Sequence, residues 1–529
     1  MKRVHIIGAG LSGLSAAITL AKGGIACDLI SLQASERAQS VLAEGGINGA
    51  LDTMGEGDCT ANHFEDTLRG GVFLADPNAV QNLTDHAPEM LRWLESLGVP
   101  FNRTANDIAL RNFGGQKKKR TAYARSSTGK IIMSAVIDEA RKFEAKGLIR
   151  RLPHHEFLRL ITDDDICRGV RIRDSFTGNI SDLTGAVILC SGGMNGIFPG
   201  MTTGTTQNSG DVTATVFAQG AALGNLEMLQ YHPTTIGIPG KRCLVTEAAR
   251  GEGGRLYIGR GGEKWYFMEE KYPELGNLMP RDVVARTMYF VRRQDDTGGQ
   301  VYLDMTALPE ETWERKLSDM RQELMSYLAL DPKRDPIPVQ EGIHYFMGGI
   351  LTDEDHRTNL RNLLAAGECT CQYHGANRLG GNSMLGALYG GRRAAETLLQ
   401  GELPDADERP VKENEPLGLP ASPVFIRQVS EILLAGMGIV RSEAGLRDAL
   451  ARLERVDAHD LREENRLRLA EAMLKSALER RESRGAHYRE DFPDKAEAFR
   501  KPTVAMQKNG EIQIEFRPLP ERRQYADNA

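Results

Sequence analysis

The hydrophobic pattern near the start of the chain alternates between continuous and helical spacing. Residues 4–7 are apolar except for His5, a pattern that predicts a buried strand. The next apolar positions recur at the spacing of a helix that ends at Gly23-Gly24: Leu14, Ala17, Ile18 and Ala21. A second predicted strand follows at residues 26–30, apolar except for Asp28. The pattern predicts a strand–helix–strand unit, the building block of a parallel α/β sheet.

Two later apolar runs also end in glycine. Residues 186–189 lead into Gly192-Gly193, and residues 363–366 lead into Gly367. Each is predicted to be a buried strand that presents backbone amides at its carboxyl end, where open α/β sheets bind ligands. Because these strands lie far apart in the chain, the domain that they form is predicted to be interrupted by an insertion.

The predicted insertion, residues 228–343, is rich in charge and contains clustered aromatic residues: Trp265, Tyr266, Phe267, Tyr289 and Phe290. After it, residues 404–423 are polar and rich in proline, as a linker is. Beyond the linker, apolar residues at helical spacing with charges between them predict an amphipathic helix: Leu467, Ala470, Leu474 and Ala477.

These segments give a predicted domain organisation. The fold class is α/β, with a Rossmann-like domain interrupted by an α+β cap and followed by a helical domain. The predicted boundaries are 1–227 and 344–403 for the two parts of the nucleotide-binding domain, 228–343 for the cap, 404–423 for the linker, 424–493 for the C-terminal helical domain and 494–529 for a C-terminal tail.

The turn after the first strand contains a glycine pattern that is typical of dinucleotide-binding sites. Gly8, Gly10 and Gly13 form a G-x-G-x-x-G pattern between a strand and a helix, which is the context that dinucleotide binding requires. A pyrophosphate would lie at the positive helix N-terminus. The second strand ends in Ser31, where an Asp or Glu usually holds the ribose hydroxyls of NAD. This difference weakens a simple NAD interpretation and leaves FAD open.

Composition excludes several classes of protein. The 529 residues include 66 Lys and Arg against 72 Asp and Glu, a formal net charge of −6, so nucleic-acid binding is not predicted. No apolar run approaches the ~20 residues of a membrane span, so direct membrane insertion is not predicted either. The seven cysteines are scattered without CxxC motifs, so no metal site is predicted and a reducing, cytoplasmic setting is expected. The basic run 117–120 is predicted to be a solvated loop.

Several longer motifs occur in a fixed order. They are SVLAEGGI at 40–47, FGGQ at 113–116, QYHPT at 230–234, TEAARGEGG at 246–254, RDVVAR at 281–286, HYFMGGI at 344–350, HGANRLGGNS at 374–383 and ESRGAH at 482–487. Together they resemble the flavoprotein subunit family of succinate dehydrogenase and fumarate reductase, which also includes L-aspartate oxidase. The resemblance implies FAD as the cofactor, bound by Gly8, Gly10, Leu11, Ser12, Gly13, Ser31, Ser40, Gly45, Gly46, Ser191, Gly192, Asp211, Glu368, Arg378, Ser383 and Met384.

The resemblance also implies a site for a small dicarboxylate. Arg378 offers a planar fork for one carboxylate, with His344 as a second donor at that end. His232 and Thr246 look like donors for the other carboxylate. The family's proton donor to the substrate alkene matches Arg281.

A proton relay to that arginine is implied as well, because arginine does not readily give up a proton. Glu247 and Arg250 match the family's relay positions. They lie three residues apart, so one helical turn would place them on the same face. A plain salt bridge between them is the alternative interpretation.

Three departures refine the prediction. Gln39 stands where many relatives carry the His that binds FAD covalently, so FAD is expected to be non-covalent, which favours fumarate reduction. Phe113 stands where L-aspartate oxidases carry a Glu for the substrate amine, and a buried ammonium without its counter-charge is costly. The chain length, the short tail and the missing His instead resemble L-aspartate oxidase. We weigh the active-site residue above the length.

The sequence therefore predicts an FAD-dependent oxidoreductase acting on CH–CH bonds, mainly reducing fumarate to succinate. The alternatives are L-aspartate oxidase and a reductase of another α,β-unsaturated acid. A non-catalytic FAD scaffold is disfavoured because the residues expected to bind and protonate substrate are all present. The expected partners are a C4 dicarboxylate and an iron–sulfur or other electron-transfer subunit, in the cytoplasm or at a membrane through that subunit.

Overall fold

A computed structural model describes residues 2–125, 127–294, 299–404, 409, 418 and 420–523. Its strands are β1 (Arg3–Ile7), β2 (Ala26–Ser31), β3 (Ile47–Asn48), β4 (Leu110–Arg111), β5 (Thr121–Ala122), β6 (Ile149–Pro153), β7 (His155–Asp163), β8 (Ile166–Asp174), β9 (Ile180–Thr184), β10 (Ala186–Leu189), β11 (Leu223–Gly224), β12 (Leu229–Ile238), β13 (Lys241–Leu244), β14 (Arg255–Arg260), β15 (Glu263–Trp265), β16 (Val301–Asp304), β17 (Ile337–Phe346), β18 (Gly349–Ile350), β19 (Leu363–Ala365), β20 (Thr503–Lys508) and β21 (Glu511–Phe516).

The helices follow the same chain order. They are α1 (Leu11–Lys22), α2 (Thr60–Gly70), α3 (Pro77–Ser96), α4 (Thr128–Glu144), α5 (Asp211–Ala218), α6 (Glu247–Gly251), α7 (Phe267–Lys271), α8 (Arg281–Gln294), α9 (Glu310–Arg315), α10 (Ser318–Leu328), α11 (Asn382–Gln400), α12 (Pro423–Gly436), α13 (Glu443–Leu453) and α14 (Leu461–Glu479).

The central sheet is parallel and has the order β19-β10-β1-β2-β6. The three strands that end in glycine turns, β1, β10 and β19, are neighbours, so their turns meet at one edge of the sheet. Helix α1 packs against α4 and α11. The sheet confirms the predicted Rossmann-like domain, and the position of β19 confirms that a later segment completes it.

The first turn is too crowded for any residue but glycine at two positions. Gly8 has a φ of +115°, and a Cβ there would lie 2.0 Å from the carbonyl oxygen of Cys190. A Cβ on Gly13 would lie 1.9 Å from the carbonyl oxygen of Gly8. These contacts bring α1 close to β1 and β10, as the fingerprint predicts.

The inserted segment forms a mixed cap, as predicted. Its antiparallel sheet has the order β13-β12-β17-β16-β14-β15, with α6–α10 around it. Its own core contains large buried side chains such as Phe267, Met288 and Trp313. Leu229 on β12 pairs with Phe346 on β17, so the chain enters and leaves the cap side by side.

The C-terminal part consists of three helices and a hairpin. Helices α12, α13 and α14 pack on one another, and α14 also packs on α5. The predicted amphipathic helix is confirmed: Ala470, Leu474 and Ala477 are fully buried in α14. Most of the predicted linker 404–423 lies outside the described residues.

The segment that the sequence marked only as a tail has a structure of its own. Strands β20 and β21 form an antiparallel hairpin around Asn509-Gly510, both of which have positive φ. Strand β20 pairs with β11, so residues 503–516 extend the four-stranded sheet β18-β11-β20-β21. The Asn-Gly turn is the reason, because both positions tolerate the left-handed backbone of a tight hairpin.

Among the described residues, no helix has the length and apolar character needed to cross a bilayer. The same part of the chain contains no cluster of three or more His, Cys, Asp or Glu side chains that could hold a metal ion.

Candidate active site

A single cavity runs from the carboxyl edge of the parallel sheet to the cap. It brings together most of the residues that the sequence singles out: Gly8, Gly10, Leu11, Ser12, Ser31, Ser40, Gly45, Gly46, Phe113, Ser191, Gly192, Asp211, His232, Thr246, Glu247, Arg281, His344, Glu368, Arg378, Ser383 and Met384. Two predicted residues do not line it. Gly13 faces Gly8 and β2 instead of the cavity, and Arg250 lies behind Glu247.

The sheet side of the cavity suits a dinucleotide. Helix α1 begins at Leu11, and its N-cap, Gly10, offers no side chain to satisfy the first amides. The nearest atom to a Cβ on Gly10 is Ser40 Oγ at 3.2 Å, and this hydroxyl accepts from the Leu11 amide at 3.3 Å. A pyrophosphate at this N-terminus would accept hydrogen bonds from those amides. Burial raises the pKa of Glu368, nearby in the cavity, to about 7.

Gln39 lies at the edge of the same cavity. It opens a short turn, Gln39–Leu42, and its Oε1 accepts a hydrogen bond from the backbone N–H of Thr205 at 2.5 Å. The side chain is an amide, which does not form the covalent flavin link that an imidazole forms. Gln39 therefore serves as a hydrogen-bonding wall of the cavity.

On the cap side, a buried carboxylate joins two arginines. Arg281, the first residue of α8, donates from Nε to Glu247 Oε2 at 2.9 Å, and its Nη2 donates to the same oxygen. Arg250 Nη2 donates to Glu247 Oε1 at 3.3 Å, across one turn of α6, as their spacing predicts. Arg250 Nη1 also donates to the carbonyl of Asn277 at 2.6 Å. Both oxygens of Glu247 are thus occupied by guanidinium groups.

The arginines decide the charge of Glu247. Burial alone would raise the pKa of its carboxyl group, but Arg281 and Arg250 outweigh that effect and hold the pKa below its ordinary value. Glu247 is therefore ionised at neutral pH. Burial lowers the pKa of the Arg250 guanidinium.

Two histidines approach each other in the cavity. The rings of His232 and His344 have centroids 5.1 Å apart, and His344 Nδ1 lies 2.8 Å from Thr203 Oγ1. Within the described residues, the buried Nε2 of His232 has no hydrogen-bond partner. Burial, together with the charge of Arg281, lowers the pKa of both rings well below the ordinary value. Both are therefore neutral at pH 7, so each ring carries a single N–H.

Arg378 lies at the junction of the cap and the sheet domain. It is 3% exposed, and its guanidinium stacks 4.4 Å from the centre of the Tyr345 ring. Its buried Nε has no partner among the described residues. Burial and the nearby Arg281 lower the pKa of this guanidinium. An anion in the cavity would relieve the repulsion between the two arginines.

Sequence reasoning assigned no role to Gln230, which the structure places between these arginines. Its Oε1 accepts from Arg281 Nη1 at 3.0 Å, and its Nε2 donates to the carbonyl oxygen of Arg378 at 3.0 Å. The residue stands two positions before His232, inside a motif that the sequence singled out. The motif was the only signal available, because the contact joins residues far apart in the chain.

Phe113 closes the apolar side of the cavity. It is 3% exposed and lies between two glycines: a Cβ on Gly45 would come within 2.9 Å of its ring, and one on Gly380 within 3.0 Å.

Thr246 supplies the N-cap of α6 by accepting from the Ala248 amide at 3.4 Å. Thr246 thereby fixes the start of the helix that carries Glu247.

Family comparisons match nearly the whole of this architecture. A family model described as "FAD binding domain" matches residues 3–384, and one described as "Fumarate reductase flavoprotein C-term" matches residues 459–525. The chain belongs to the succinate dehydrogenase and fumarate reductase flavoprotein family. It is therefore an FAD-dependent oxidoreductase of this type, and FAD is its cofactor.

Relatives in this family differ in their substrates. The chain is 35% identical to a succinate dehydrogenase flavoprotein subunit of Bacillus subtilis, covering 93% of this chain and 91% of that protein. It is 34% identical to an L-aspartate oxidase of Pyrococcus furiosus, over 95% and 98%. A solved structure of a mutant E. coli quinol fumarate reductase superimposes with a TM-score of 0.87 at 28% identity, over 98% and 99%.

Non-covalent attachment of FAD is the first prediction. Because Gln39 cannot form the link that histidine forms, we expect acid or SDS to release all of the flavin into solution. The measurement is absorbance at the flavin maximum in the supernatant, with fluorescence of the denatured band as the control. Fluorescence that stays on the band would show that another residue makes a covalent bond.

Proposed function

We propose that this flavoprotein works mainly as a fumarate reductase that adds two hydrogens across the double bond of a C4 dicarboxylate. FAD, when bound, supplies the hydride. The chain's own residues then have three tasks: to hold the two carboxylates, to keep water away from the reacting carbons, and to supply the proton that completes succinate.

The donors in the cavity support the binding task. Arg378 and His344 would take one carboxylate, and His232 with Thr246 would take the other. Arg378 is buried with a free Nε, and His232 is buried with a free Nε2 among the described residues. Donors fixed in advance in a dry site bind anions strongly, because they need no reorganisation when the ligand arrives.

The three charged residues behind the site support the proton task. Arg281 would give its proton to one alkene carbon. Glu247, a carboxylate at rest, would then take a proton from Arg250 through Oε1 and pass it to Arg281 through Oε2. The proton thus passes along existing hydrogen bonds, and the three groups regain their starting charges once Arg250 takes up a proton from solvent.

Phe113 carries the choice of substrate. An amino acid such as aspartate would bring an ammonium group beside this ring. Glu247 lies close to Phe113, since both approach Gly380, and both of its oxygens already accept from arginines. A buried ammonium without a counter-charge costs several kcal/mol, about 2–5 when one partner of a pair is missing. A planar, uncharged alkene carries no such penalty.

L-aspartate oxidase is the second candidate, favoured by the near-complete coverage of the P. furiosus relative. A reductase of another α,β-unsaturated acid is a third. We also propose an iron–sulfur or other electron-transfer subunit as partner, since the B. subtilis relative is described as a subunit.

Two half-reactions test the substrate proposal. Enzyme reduced with dithionite under anaerobic conditions should regain its flavin colour rapidly on addition of fumarate. Oxidised enzyme mixed with aspartate should bleach more slowly, if at all. Stopped-flow absorbance measures both rates on one preparation. Faster bleaching by aspartate than recolouring by fumarate would favour L-aspartate oxidase.

Phe113→Glu should reverse the preference. A carboxylate at this position repels a dianion, so we expect fumarate to bind about tenfold more weakly or worse, while aspartate oxidation rises. Phe113→Leu is the matched control, because it keeps the wall apolar and should retain fumarate preference. Unchanged fumarate affinity in the Glu variant would remove Phe113 from the determination of specificity.

A further inference from the structure

Two arginines of α14 hold carboxylates that line the cavity on the side of α5 and β7. Arg462 and Arg466 stand four residues apart in the first turns of α14, so they project from one face of the helix. They are 3% and 8% exposed. Arg462 also lines the cavity.

These arginines hold two carboxylates that face the same space. Arg462 Nη1 donates to Asp211 Oδ2 at 2.8 Å, and its Nη2 donates to Glu156 Oε1 at 2.6 Å. Arg466 Nε donates to the other oxygen of Asp211. Asp211 begins α5, and Glu156 lies on β7, so one cluster joins three separate elements. Both carboxylates line the cavity.

The location of the cluster indicates which part of a dinucleotide it faces. Dinucleotide-binding sheets usually hold the adenosine ribose with an acidic residue at the end of the second strand. Here that residue is Ser31, whose hydroxyl donates to the carbonyl of Gln33 at 2.6 Å. Ser31 pairs with Pro153 in the sheet, and Glu156 follows three residues later. Asp211 and Glu156 line the same cavity as Ser31, so they are the carboxylates available for the role of the missing one.

The negative charge of Asp211 suits a residue that accepts hydrogen bonds from ribose hydroxyls. Burial alone would raise the pKa of Asp211, but the two guanidinium groups outweigh it and keep the pKa below its ordinary value. Each oxygen of an ionised carboxylate can accept a second hydrogen bond, so Asp211 can accept from a ribose hydroxyl while it still accepts from the arginines. The buried Nε of Arg462 has no partner among the described residues, so the cluster still has a donor to offer.

We propose that Arg462 and Arg466 are positioning residues for FAD: they fix Asp211 and Glu156 against the adenosine end of the cofactor and so couple cofactor binding to the docking of α14. Coupling of this kind is reciprocal. FAD should stabilise the docked C-terminal helices, and the docked helices should raise the affinity for FAD. The proposal needs only that the chain binds FAD and does not depend on the choice of substrate.

Arg462→Gln tests whether the docked arginines raise the affinity for FAD. We expect the Kd for FAD, measured by fluorescence quenching on chain stripped of its cofactor, to rise about tenfold or more, as expected when charge-assisted hydrogen bonds are lost. Arg462→Lys should recover part of the affinity, since it keeps the charge but contacts only one carboxylate. Arg447→Gln is the control: this arginine pairs with Glu443 on exposed α13, and its loss should leave the Kd within about twofold.

A melting experiment separates positioning from simple stability. If the arginines position the FAD-binding carboxylates, Arg462→Gln should reduce the rise in Tm that FAD produces. If they only join α14 to α5, the Tm of the cofactor-free and the FAD-saturated protein should fall equally and the Kd should stay unchanged. The second result would overturn the proposal.

Hydrogen exchange on the unmodified protein covers the case in which variants fold poorly. Adding FAD to the stripped chain should slow amide exchange in the first turns of α14, near residues 461–468. Equal exchange in α14 with and without FAD would refute the coupling.

Discussion

Replacing Arg281 with glutamine should lower kcat for fumarate by about 10²–10⁴-fold or more, the usual range for loss of a general acid. Glutamine keeps a hydrogen-bond donor but does not deliver a proton at neutral pH. The binding groups Arg378, His232 and His344 are untouched, so the Kd for malonate, a competitive dicarboxylate, should change much less than kcat. The measurements are steady-state turnover and a malonate titration that follows the flavin spectrum.

Two further variants serve as comparisons for Arg281→Gln. Arg250→Gln should slow turnover less than Arg281→Gln, because it removes the outer member of the relay and leaves the proton donor in place. Arg293→Gln, an exposed position on the same helix α8, should leave turnover unchanged. If Arg281→Gln turns over fumarate at near the unmodified rate while retaining FAD, the proton comes from another group.

Glycines and apolar runs made the parallel sheet predictable. Local sequence was enough because each glycine turn follows its own strand, and Gly8 shows the steric demand directly. The hairpin at Asn509-Gly510 was equally local and was missed, although Asn-Gly between alternating residues is a strong hairpin signal. Attention to that dipeptide would have replaced the predicted tail with two strands.

Buried charge was harder to predict from sequence. The basic run 117–120 was predicted to be solvated, yet Arg120 is fully buried between Asp58 and Asp66. Its partners lie more than fifty residues away along the chain, so local charge density gave no warning. Arg462 and Arg466 were missed for the same reason. Their partners Asp211 and Glu156 lie about 250 and 300 residues earlier, where only the folded structure brings them together.

The site itself was predicted through its motifs more than through geometry. The sequence placed Arg281, Glu247 and Arg250 in one relay, and the structure brings all three into contact. It did not predict that His232 and His344 would lie 5.1 Å apart, although they were assigned to opposite ends of the substrate. A short dicarboxylate is consistent with that separation, since its two ends are themselves only a few ångströms apart.

Arg378→Gln should lose mainly affinity for the dicarboxylate, whereas Arg281→Gln should lose mainly kcat. The guanidinium is the planar cation that matches a carboxylate with two parallel hydrogen bonds, and glutamine keeps neither the charge nor the fork. Leaving one buried charge of such a pair without its partner costs about 2–5 kcal/mol, so we expect the Kd for malonate to rise about 100-fold or more. Turnover should fall with it, because a loosely held alkene is no longer aligned with its proton donor.

Arg378→Lys sharpens the interpretation of that loss. Lysine keeps the charge but presents a single point donor, so it should bind malonate better than glutamine does and worse than arginine does. The ratio of kcat loss to affinity loss distinguishes the two arginines: affinity should dominate at Arg378 and kcat at Arg281. Malonate binding that survives Arg378→Gln within about threefold would mean that His232 and His344 hold the dianion alone. The dicarboxylate orientation proposed for this site would then be wrong.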